Sequence, residues 1–384
     1  DTGYQLTDDG TSTRRYEWVT WSRNGQLAYF CCNLQFASDF ETGAYVSTDG
    51  ITPGEVILSG EGEPVIYAGW SPGLCLGGNN CDALAMLIND LNTGALRVDV
   101  ASRVDDNFSV NTIATGNPFY FTWSPGGDRM VFHRMGRDID FFDVSSTTIE
   151  DAVQQTSSGL FQSPAWSPVD DRVLFAIPGE ESGRSNLVVN NGSDNVILRE
   201  EIPGTLSFLW SPDGNYVAYR VLSDGQYGRI FIVDAITGET IAESNLDGTL
   251  GFFWSPDSNR LAYLTVSASE GNFNASTESE GILISQTIQE PTGLSWNVLD
   301  VQANTNQVYP SFIPTREMIY LLTYFDQFAP SHRLWSPDSS HLVYSEVIGT
   351  GDDVETVITI LDVIAANSVP LTIGHGSFAV WSYE

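Results

Sequence analysis

The chain has 384 residues, of which 42% are hydrophobic and 12% aromatic, so it can build a sizeable core and is not a disordered chain. Its 49 Asp and Glu residues outweigh 16 basic residues, all of them Arg, and the formal net charge is −33. Such an acidic field repels phosphate backbones and anionic lipids, which argues against nucleic acids and membrane surfaces as partners. No run of 18 apolar residues occurs, so we expect no membrane span.

The chain opens with Asp1 and shows no charged-then-apolar leader, so we expect a mature, secreted protein, extracellular or at the cell surface, with the periplasm as the alternative. Four cysteines fit an oxidising compartment. Cys75 and Cys81 flank a flexible Gly/Asn stretch and are predicted to form a disulfide. Cys31 and Cys32 are undetermined: they form a vicinal bridge, stay free or pair with the second repeat. Their spacing does not favour a zinc site.

One marker recurs along the whole chain: Trp-Ser, usually followed by Pro. Its eight copies lie 49, 53, 43, 44, 44, 81 and 46 residues apart, and a period near 44 is typical of a four-stranded propeller blade. We therefore predict an all-β fold, a single propeller domain over residues 1–384 with antiparallel blades. The blades start near residues 16, 65, 118, 161, 205, 249, 330 and 377. The marker tryptophans are Trp21, Trp70, Trp123, Trp166, Trp210, Trp254, Trp335 and Trp381.

The second repeat departs from the pattern after Trp70, where a Gly-rich stretch replaces the turn. Either residues are inserted before the second strand, or residues 74–76 form a short second strand and residues 82–88 the third. The turn Asn92-Thr-Gly94 resembles Ile236-Thr-Gly238 of the fifth repeat and favours the latter. In both cases the Cys75–Cys81 bridge would brace a hairpin.

The fifth repeat shows the unit most clearly. Residues 206–210 are a short apolar strand, and Ser211-Pro-Asp-Gly214 is a tight turn, because Pro presets a dihedral, Asp bonds nearby amides and Gly accepts a positive φ. Residues 216–220, 229–233 and 240–243 are the next three strands. In other copies too, an apolar strand begins six or seven residues after Trp. A flat Trp fills the wedge between blades, so we assign the marker tryptophans to the core and none to a ligand.

Two insertions explain the 81-residue interval. Residues 267–292, rich in Ser, Glu, Asn and Gly, are predicted to be a solvated loop between the second and third strands. Residues 310–330 are more apolar and are predicted to be a long connector with a helical turn, packed on one face of the ring. This connector is a contact surface or covers the edge of the propeller.

The two ends of the chain are predicted to share the last blade. Tyr4, Gln5, Leu6 and Thr7 resemble an outer strand, and Phe378, Ala379, Val380 and Trp381 an inner strand. This gives eight blade positions, seven complete and one split between the termini. The alternative is seven blades with a C-terminal tail. The missing strands come from residues before Asp1 or from another chain. Because unpaired strand edges template association, these eight residues are our candidates for blade closure or self-association.

The Trp210-Ser-Pro-Asp-Gly214 and Trp254-Ser-Pro-Asp257 turns, with the apolar strands that follow, resemble the repeat of TolB-type and WD-repeat propellers. They also resemble the propeller of dipeptidyl- and prolyl-oligopeptidases. The resemblance covers nearly the whole chain and implies the fold. It does not imply one function, because such propellers serve as binding platforms, lids or scaffolds. The copies at Trp21 (Ser-Arg-Asn-Gly) and Trp381 (Ser-Tyr-Glu) depart from the pattern.

No catalytic motif is apparent: the chain lacks a Gly-x-Ser-x-Gly elbow and, without Lys, a phosphate-binding loop. His133, His332, His341 and His375 show no metal-ligand spacing. We predict no cofactor, although acidic pairs such as Asp8-Asp9 and Asp170-Asp171 make Ca²⁺ worth testing.

We therefore expect a non-catalytic extracellular scaffold or protein-binding module that assembles into oligomers or filaments through its incomplete terminal blade. The partner is the protein itself or another extracellular protein. The alternative is the substrate-gating propeller of an oligopeptidase-like enzyme that lacks its hydrolase domain.

Overall fold

The structure is a computed structural model that describes residues 3–11, 14–31, 40–72, 82–104, 107–134, 137–144, 148–149, 155–157, 162–192, 194–267, 293–349, 353–365 and 368–383. Antiparallel strands dominate it, and they follow one another through each sheet in chain order. No helix in this part of the chain is long and apolar enough to cross a membrane.

The first three sheets come from the first three repeats. The first sheet contains β1 (Tyr16–Trp21), β2 (Leu27–Cys31), β3 (Glu41–Ser47) and β4 (Glu55–Glu61). The second contains β5 (Val65–Trp70), β6 (Leu84–Asp90), β7 (Ala95–Val104) and β8 (Asn107–Ala114). The third contains β9 (Pro118–Trp123), β10 (Arg129–Arg134), β11 (Asp138–Asp143), β12 (Thr148–Ile149) and β13 (Gln155–Thr156), and the last two both pair with β11.

The next two repeats form regular four-stranded sheets. The fourth sheet contains β14 (Ala165–Trp166), β15 (Val173–Pro178), β16 (Arg184–Asn190) and β17 (Asn195–Pro203). The fifth contains β18 (Thr205–Trp210), β19 (Tyr216–Ser223), β20 (Gln226–Asp234) and β21 (Thr240–Glu243), as the sequence predicts for this repeat.

The sixth sheet has seven strands and joins two repeats. Its strands are β22 (Thr249–Trp254), β23 (Arg260–Val266), β24 (Leu294–Asp300), β25 (Thr305–Pro314), β26 (His341–Ile348), β27 (Glu355–Asp362) and β28 (Leu371–His375). The helices α1 (Arg316–Thr323) and α2 (Phe325–Phe328) lie between β25 and β26 in the chain. The first predicted insertion falls between β23 and β24, the second and third strands of its repeat, and nearly all of it lies outside the described residues.

The second insertion interrupts an inner strand. The end of β25 pairs with β26 at Pro314 and Glu346, and Trp335 forms a bridge to Leu342 of the same strand. Residues 316–330, which we call the central segment, leave the sheet between these two pairings and return to it. The inner position of the last repeat is therefore built from two pieces of chain.

The Ser-Pro-Asp turns are closed by their own side chains. Ser211 Oγ donates to Asp213 Oδ1 at 2.5 Å, and the same carboxylate accepts the Asn215 N–H at 3.1 Å. Asp257 and Asp338 make the equivalent bonds in their repeats. Hydrogen bonds from Ser336 and Ser340 lower the pKa of Asp338 to about 2. These aspartates cap turns, as the sequence analysis expected.

Neighbouring turns are also joined to each other. Gly214 has a φ of 71°, the left-handed region that favours glycine, and Ser258 and Ser339 take its place in the next two turns with a φ of 61°. The Ser258 hydroxyl accepts the Asp213 N–H at 3.0 Å, and the Ser339 hydroxyl accepts the Asp257 N–H at 3.1 Å. An inter-repeat hydrogen bond thus offsets the cost of a serine in this conformation.

The marker tryptophans connect adjacent sheets. In four repeats the indole N–H donates to the carbonyl of the residue just before the marker of the preceding repeat. These bonds join Trp70 to Thr20, Trp123 to Gly69, Trp210 to Ala165 and Trp335 to Phe253, at 2.9–3.0 Å. Six of the eight markers are buried, and Trp21 and Trp381 are half-buried.

The preferred prediction for the second repeat is wrong. β6 (Leu84–Asp90) pairs directly with β5, so it is the second strand and not the third. The Asn92-Thr-Gly94 turn forms by local hydrogen bonds, because Asp90 Oδ1 accepts the backbone N–H groups of Asn92 and Thr93. In the fifth repeat Asp234 Oδ1 accepts the corresponding N–H groups of Ile236 and Thr237. Such a turn joins second to third strands as readily as third to fourth. Residues 73–81, with the predicted Cys75–Cys81 bridge, lie outside the described residues.

The predicted terminal strands are also wrong in secondary structure. Neither Tyr4–Thr7 nor Phe378–Trp381 forms a strand, because neither makes the repeated backbone hydrogen bonds of a ladder with another described strand. Trp381 N–H donates to the Arg333 carbonyl at 2.8 Å, but no ladder extends from this bond in the described residues. The number of blades stays a prediction.

Replacing Phe328 with alanine tests the importance of the central segment. Phe328 is 2% exposed and contacts the rings of Trp18 and Tyr67 from two different sheets. We expect Phe328→Ala to lower the free energy of unfolding by about 3–5 kcal/mol, measured by urea denaturation followed by tryptophan fluorescence. The control is Phe108→Ala, which removes a half-buried ring from the outer strand β8. Equal losses for both variants would contradict a central role for Phe328.

Candidate functional site

The central segment lies among the inner strands of several sheets. Phe328 contacts β1 and β5, and the Tyr120 hydroxyl of β9 donates to the Gln327 carbonyl at 3.4 Å. Phe325 packs on Phe252 of β22, with ring centroids 4.6 Å apart, and α2 also contacts β18. A Cβ on Gly251 would come within 3.0–3.2 Å of Leu322 and Phe325, so glycine allows this close approach. The connector was predicted to pack on one face of the ring. Its central segment instead fills the centre of the ring.

A buried charged pair borders the central segment. Arg220 of β19 lies over the Phe325 ring at 4.8 Å and donates to the backbone carbonyls of Thr249 and Leu250. Burial lowers the pKa of Arg220 to about 10. Burial also raises the pKa of the Asp326 carboxyl to about 6, although Arg220 attracts its charged form. The contacts of Arg220 with Phe325 and with two backbone carbonyls hold the segment against β19 and β22.

Carboxylates gather where α1 begins. Glu17 and Glu317 are both buried, and Arg15 lies between them, 3.6 Å from Glu17 Oε1 and 3.3 Å from Glu317 Oε1. Neither carboxylate oxygen of Glu17 has a hydrogen-bond donor in the described part of the chain. Burial therefore raises the pKa of Glu17 to about 7, and the nearby charge of Glu317 adds to the effect.

A cavity of about 320 Å³ lies where the inner strands end in their Trp-Ser-Pro turns. Its walls include the prolines of these turns, and residues 329–335 line it as well. The markers of the first seven repeats all line it: Trp21, Trp70, Trp123, Trp166, Trp210, Trp254 and Trp335. Side chains that the sequence analysis assigned to packing alone therefore also form the wall of a cavity.

Two arginines and a tyrosine lie at this cavity. Arg23 and Arg333 both approach the ring of Tyr383, with the guanidinium carbon 5.9 and 4.4 Å from its centroid. Arg23 and Tyr383 occupy the position where most other repeats have proline after Trp-Ser. The two copies that depart from the repeat thus supply two members of this cluster, a signal that was visible in the sequence.

The last residues of the chain lie between the first and last sheets. The Phe378 ring contacts Trp18 of β1 at 5.3 Å and His332 at 5.8 Å. The backbone bond from Trp381 to Arg333 fixes the segment next to the inner position of the last repeat. The predicted closure residues Phe378 and Trp381 are therefore near each other at this junction. By contrast, Tyr4 at the other end of the chain is 63% exposed.

The outermost strand of the last repeat carries exposed apolar side chains. Leu371 and Ile373 of β28 are 64% and 55% exposed, and Val369 just before it is 82% exposed. No Asp, Glu or Arg occurs in β28. Among the described residues only β27 pairs with it, so in this part of the chain its other edge is available for a further strand.

The other predicted sites do not come together. His133 is buried, with Nδ1 3.1 Å from the Gln162 carbonyl and Nε2 2.9 Å from Ser157 Oγ, and burial lowers its pKa to about 4. Asp9 and Asp170 bind the neighbouring Arg14 and Arg172. The described residues contain no group of three His, Cys, Asp or Glu that could hold a metal ion. Of the cysteines only Cys31 is described, so the predicted pairing stays a prediction.

No family model matches the sequence, and no curated protein matches it. Among solved structures, the C-terminal WD40 domain of Sif2 has a TM-score of 0.52 and 12% identity, and the match covers 94% of this chain and 85% of that one. An oligogalacturonate lyase from Vibrio parahaemolyticus has a TM-score of 0.50 and 9% identity, covering 96% and 86%. TolB from Acinetobacter baumannii has a TM-score of 0.44 and 13% identity, covering 89% and 79%.

The WD40 domain and the oligogalacturonate lyase are β-propellers, so the predicted propeller fold is confirmed, and the similar structures include the TolB and WD40 types that the sequence analysis named. At such low identities the likeness concerns the fold alone. The predicted resemblance to the propellers of dipeptidyl- and prolyl-oligopeptidases is not shown by these structures.

The buried Glu17 predicts a pH dependence of stability. Its pKa in the folded protein, about 7, lies above its ordinary value of 4.5. Ionisation therefore disfavours the folded state: the cost is absent below pH 4.5 and complete above pH 7. We expect Glu17→Gln to gain about 1–3 kcal/mol in free energy of unfolding relative to the wild type between pH 5 and pH 8. Urea denaturation at the two pH values measures this gain.

The control for this measurement is Glu55→Gln, which changes an exposed glutamate of β4. It removes the same charge without removing a buried carboxylate, so its effect on stability should not vary with pH. A Glu17→Gln effect that is the same at pH 5 and pH 8 would show that Glu17 is not buried as a carboxylate.

Proposed function

We propose that the protein is a non-catalytic, extracellular propeller that binds a second copy of itself through the edge of β28. The exposed apolar side chains of Val369, Leu371 and Ile373 are the observation that carries the proposal. An outer strand with this composition and a free edge is a template for strand addition. Antiparallel pairing of two β28 strands gives a symmetric contact in which each copy contributes the same residues.

Charge favours this edge over other surfaces. Two copies with a net charge of −33 repel each other, and the repulsion is strongest where acidic side chains meet. The outer strands β4, β17 and β21 all carry glutamates, whereas β8 and β28 carry no Asp, Glu or Arg, and of these two only β28 has exposed large apolar side chains. A second copy can therefore approach β28 with less opposition than it meets at β4, β17 or β21, and salt that screens the remaining charge promotes association.

This proposal changes the role of the chain ends. We propose a ring of seven blades, in which residues 377–383 close the junction between the first and last sheets within one chain. The contacts of Phe378 with Trp18 and of Trp381 with Arg333 support this role. Self-association then uses β28 rather than an unfinished blade. An extracellular location, with the periplasm as the alternative, belongs to the same proposal and rests on the predicted Cys75–Cys81 disulfide.

A gating propeller of an oligopeptidase is less well supported. In such a role the substrate passes through the centre of the ring, and here Phe325, Phe328 and their neighbours fill that centre. The likeness to the oligogalacturonate lyase extends to the fold alone and does not favour a lyase. Oligogalacturonate with and without Mn²⁺ is the direct assay, and measurable cleavage would replace the non-catalytic proposal.

Substituting aspartate for Leu371 tests the proposed self-association. A negative charge at the start of β28 is costly to desolvate, and the net negative charge of the second copy repels it. We expect the wild type to form dimers or larger assemblies whose share grows with protein concentration and with NaCl, whereas Leu371→Asp stays monomeric. Light scattering and negative-stain electron microscopy measure both.

The matched control is Ile236→Asp, which changes an exposed aliphatic residue outside β28, in the turn after β20, and adds the same charge. It should assemble like the wild type. A wild type that is monomeric at every concentration and salt level rules out the proposal, and so does loss of assembly in both variants.

A further inference from the structure

The tryptophan-lined cavity has the features of a ligand site, and no role has been given to it so far. Its volume of about 320 Å³ is at the lower end of the range of small-molecule pockets. The walls are mainly indole and pyrrolidine rings, which favour a flat apolar group. Such a wall needs no rearrangement to accept a ligand, because each ring is held by its strand and turn.

The positive charge beside this cavity is not neutralised by carboxylates. Within the described residues, neither Arg23 nor Arg333 has an ion-pair partner, and each makes only a cation–π contact with Tyr383. Burial lowers the pKa of Arg333, and the like charge of Arg23 adds to this effect. A bound anion would offset both the burial of the charged Arg333 and its repulsion from Arg23. In a chain of net charge −33, two such arginines at one cavity are a local exception.

Buried polar atoms without partners also belong to the cavity wall. His332 is 2% exposed, and its Nε2 has no hydrogen-bond partner in the described part of the chain. The same holds for Nε1 of Trp166 and Trp254, although the equivalent N–H of four other markers donates to a neighbouring carbonyl. A ligand in the cavity does not reach these three nitrogens, because they have almost no accessible surface, so recognition there depends on the ring faces and on the two arginines.

We propose that this cavity binds a small organic carboxylate with a flat, apolar body. The body lies against the tryptophan and proline rings, and the carboxylate faces Arg23 and Arg333, whose guanidinium groups bind carboxylates through paired N–H donors. Tyr383 already places a planar ring near both arginines, which shows that an aromatic group fits beside them. The site is independent of the β28 edge, so each proposal can fail without the other.

Indole-3-acetate is a suitable probe, and indole-3-acetamide is its neutral counterpart of nearly the same shape. Calorimetric titration measures the binding of both probes, and the cavity-filling variant described below locates it. We expect saturable binding of the acetate and at least about tenfold weaker binding of the acetamide. Added NaCl should weaken binding of the acetate more than that of the acetamide, because only the former involves charge pairing.

Variants separate the arginines from general charge effects. The double variant Arg23→Gln, Arg333→Gln should bind the acetate at least about tenfold more weakly. The control Arg103→Gln, which changes an exposed arginine of β7, should bind like the wild type. A second variant, Thr122→Phe, fills part of the cavity and should weaken both probes equally. Thermal unfolding of each variant shows that it is folded.

Three results would overturn the proposal. One is equal affinity for acetate and acetamide, and another is undiminished acetate binding by the double arginine variant. The third is the absence of saturable binding of the acetate up to about 10 mM, because a site with affinity weaker than this has no useful specificity.

Discussion

The indole N–H that reaches from one repeat to the carbonyl of the repeat before it determines how neighbouring sheets meet. In Trp70, Trp123, Trp210 and Trp335 this bond measures 2.9–3.0 Å. Each bond contributes only about 0.5–1.5 kcal/mol, whereas burial of the indole ring contributes more. The bond matters because it is directional: it fixes the angle between two sheets that apolar packing alone would leave variable. In the six repeats that have both, the Ser and Pro that follow end the strand at the same level, so the ends of the inner strands converge around one cavity.

That regularity creates a central space, and the last repeat fills it. The other repeats use one continuous segment as their inner strand, but here the strand is divided and residues 316–330 enter the space between the sheets. The cost of ordering this segment is offset by burial of Met318, Leu321, Phe325 and Phe328. Its polar groups carry a penalty, since Asp326 and Arg220 lose water without forming a close ion pair. Apolar packing alone would allow several positions for the segment. The two buried charged groups select one of them, because in that position Arg220 lies over the Phe325 ring and attracts the Asp326 carboxylate.

The strands of the repeats were predictable from the sequence because each one is bounded by local chemistry. Pro, Asp and Gly select the turn, and the alternation of apolar residues selects the strand, so residues 205–243 needed no tertiary information. Two predictions failed for the same reason. The Asn92-Thr-Gly94 turn has the same local hydrogen bonds as its counterpart in the fifth repeat, and local bonds do not record which strands they join. Likewise, the apolar composition of residues 310–330 predicts that they are buried, but it does not indicate against which part of the propeller they pack.

The candidate site could not be predicted from the tryptophans, because the repeat already explains them by packing. A tryptophan that recurs in every unit has a sufficient explanation in packing, so a second role as cavity wall leaves no separate mark in the sequence. The two copies that depart from the repeat do leave a mark in the sequence. Arg23 and Tyr383 replace the turn proline in the first and last copies, and Arg333 lies two residues before a marker. These three positions are more than 300 residues apart at the extremes, yet ring closure brings the first and last sheets together and places them at one cavity. A departure from a repeat at both of its ends therefore has a physical meaning that a single departure lacks, because the two ends are neighbours in the closed structure.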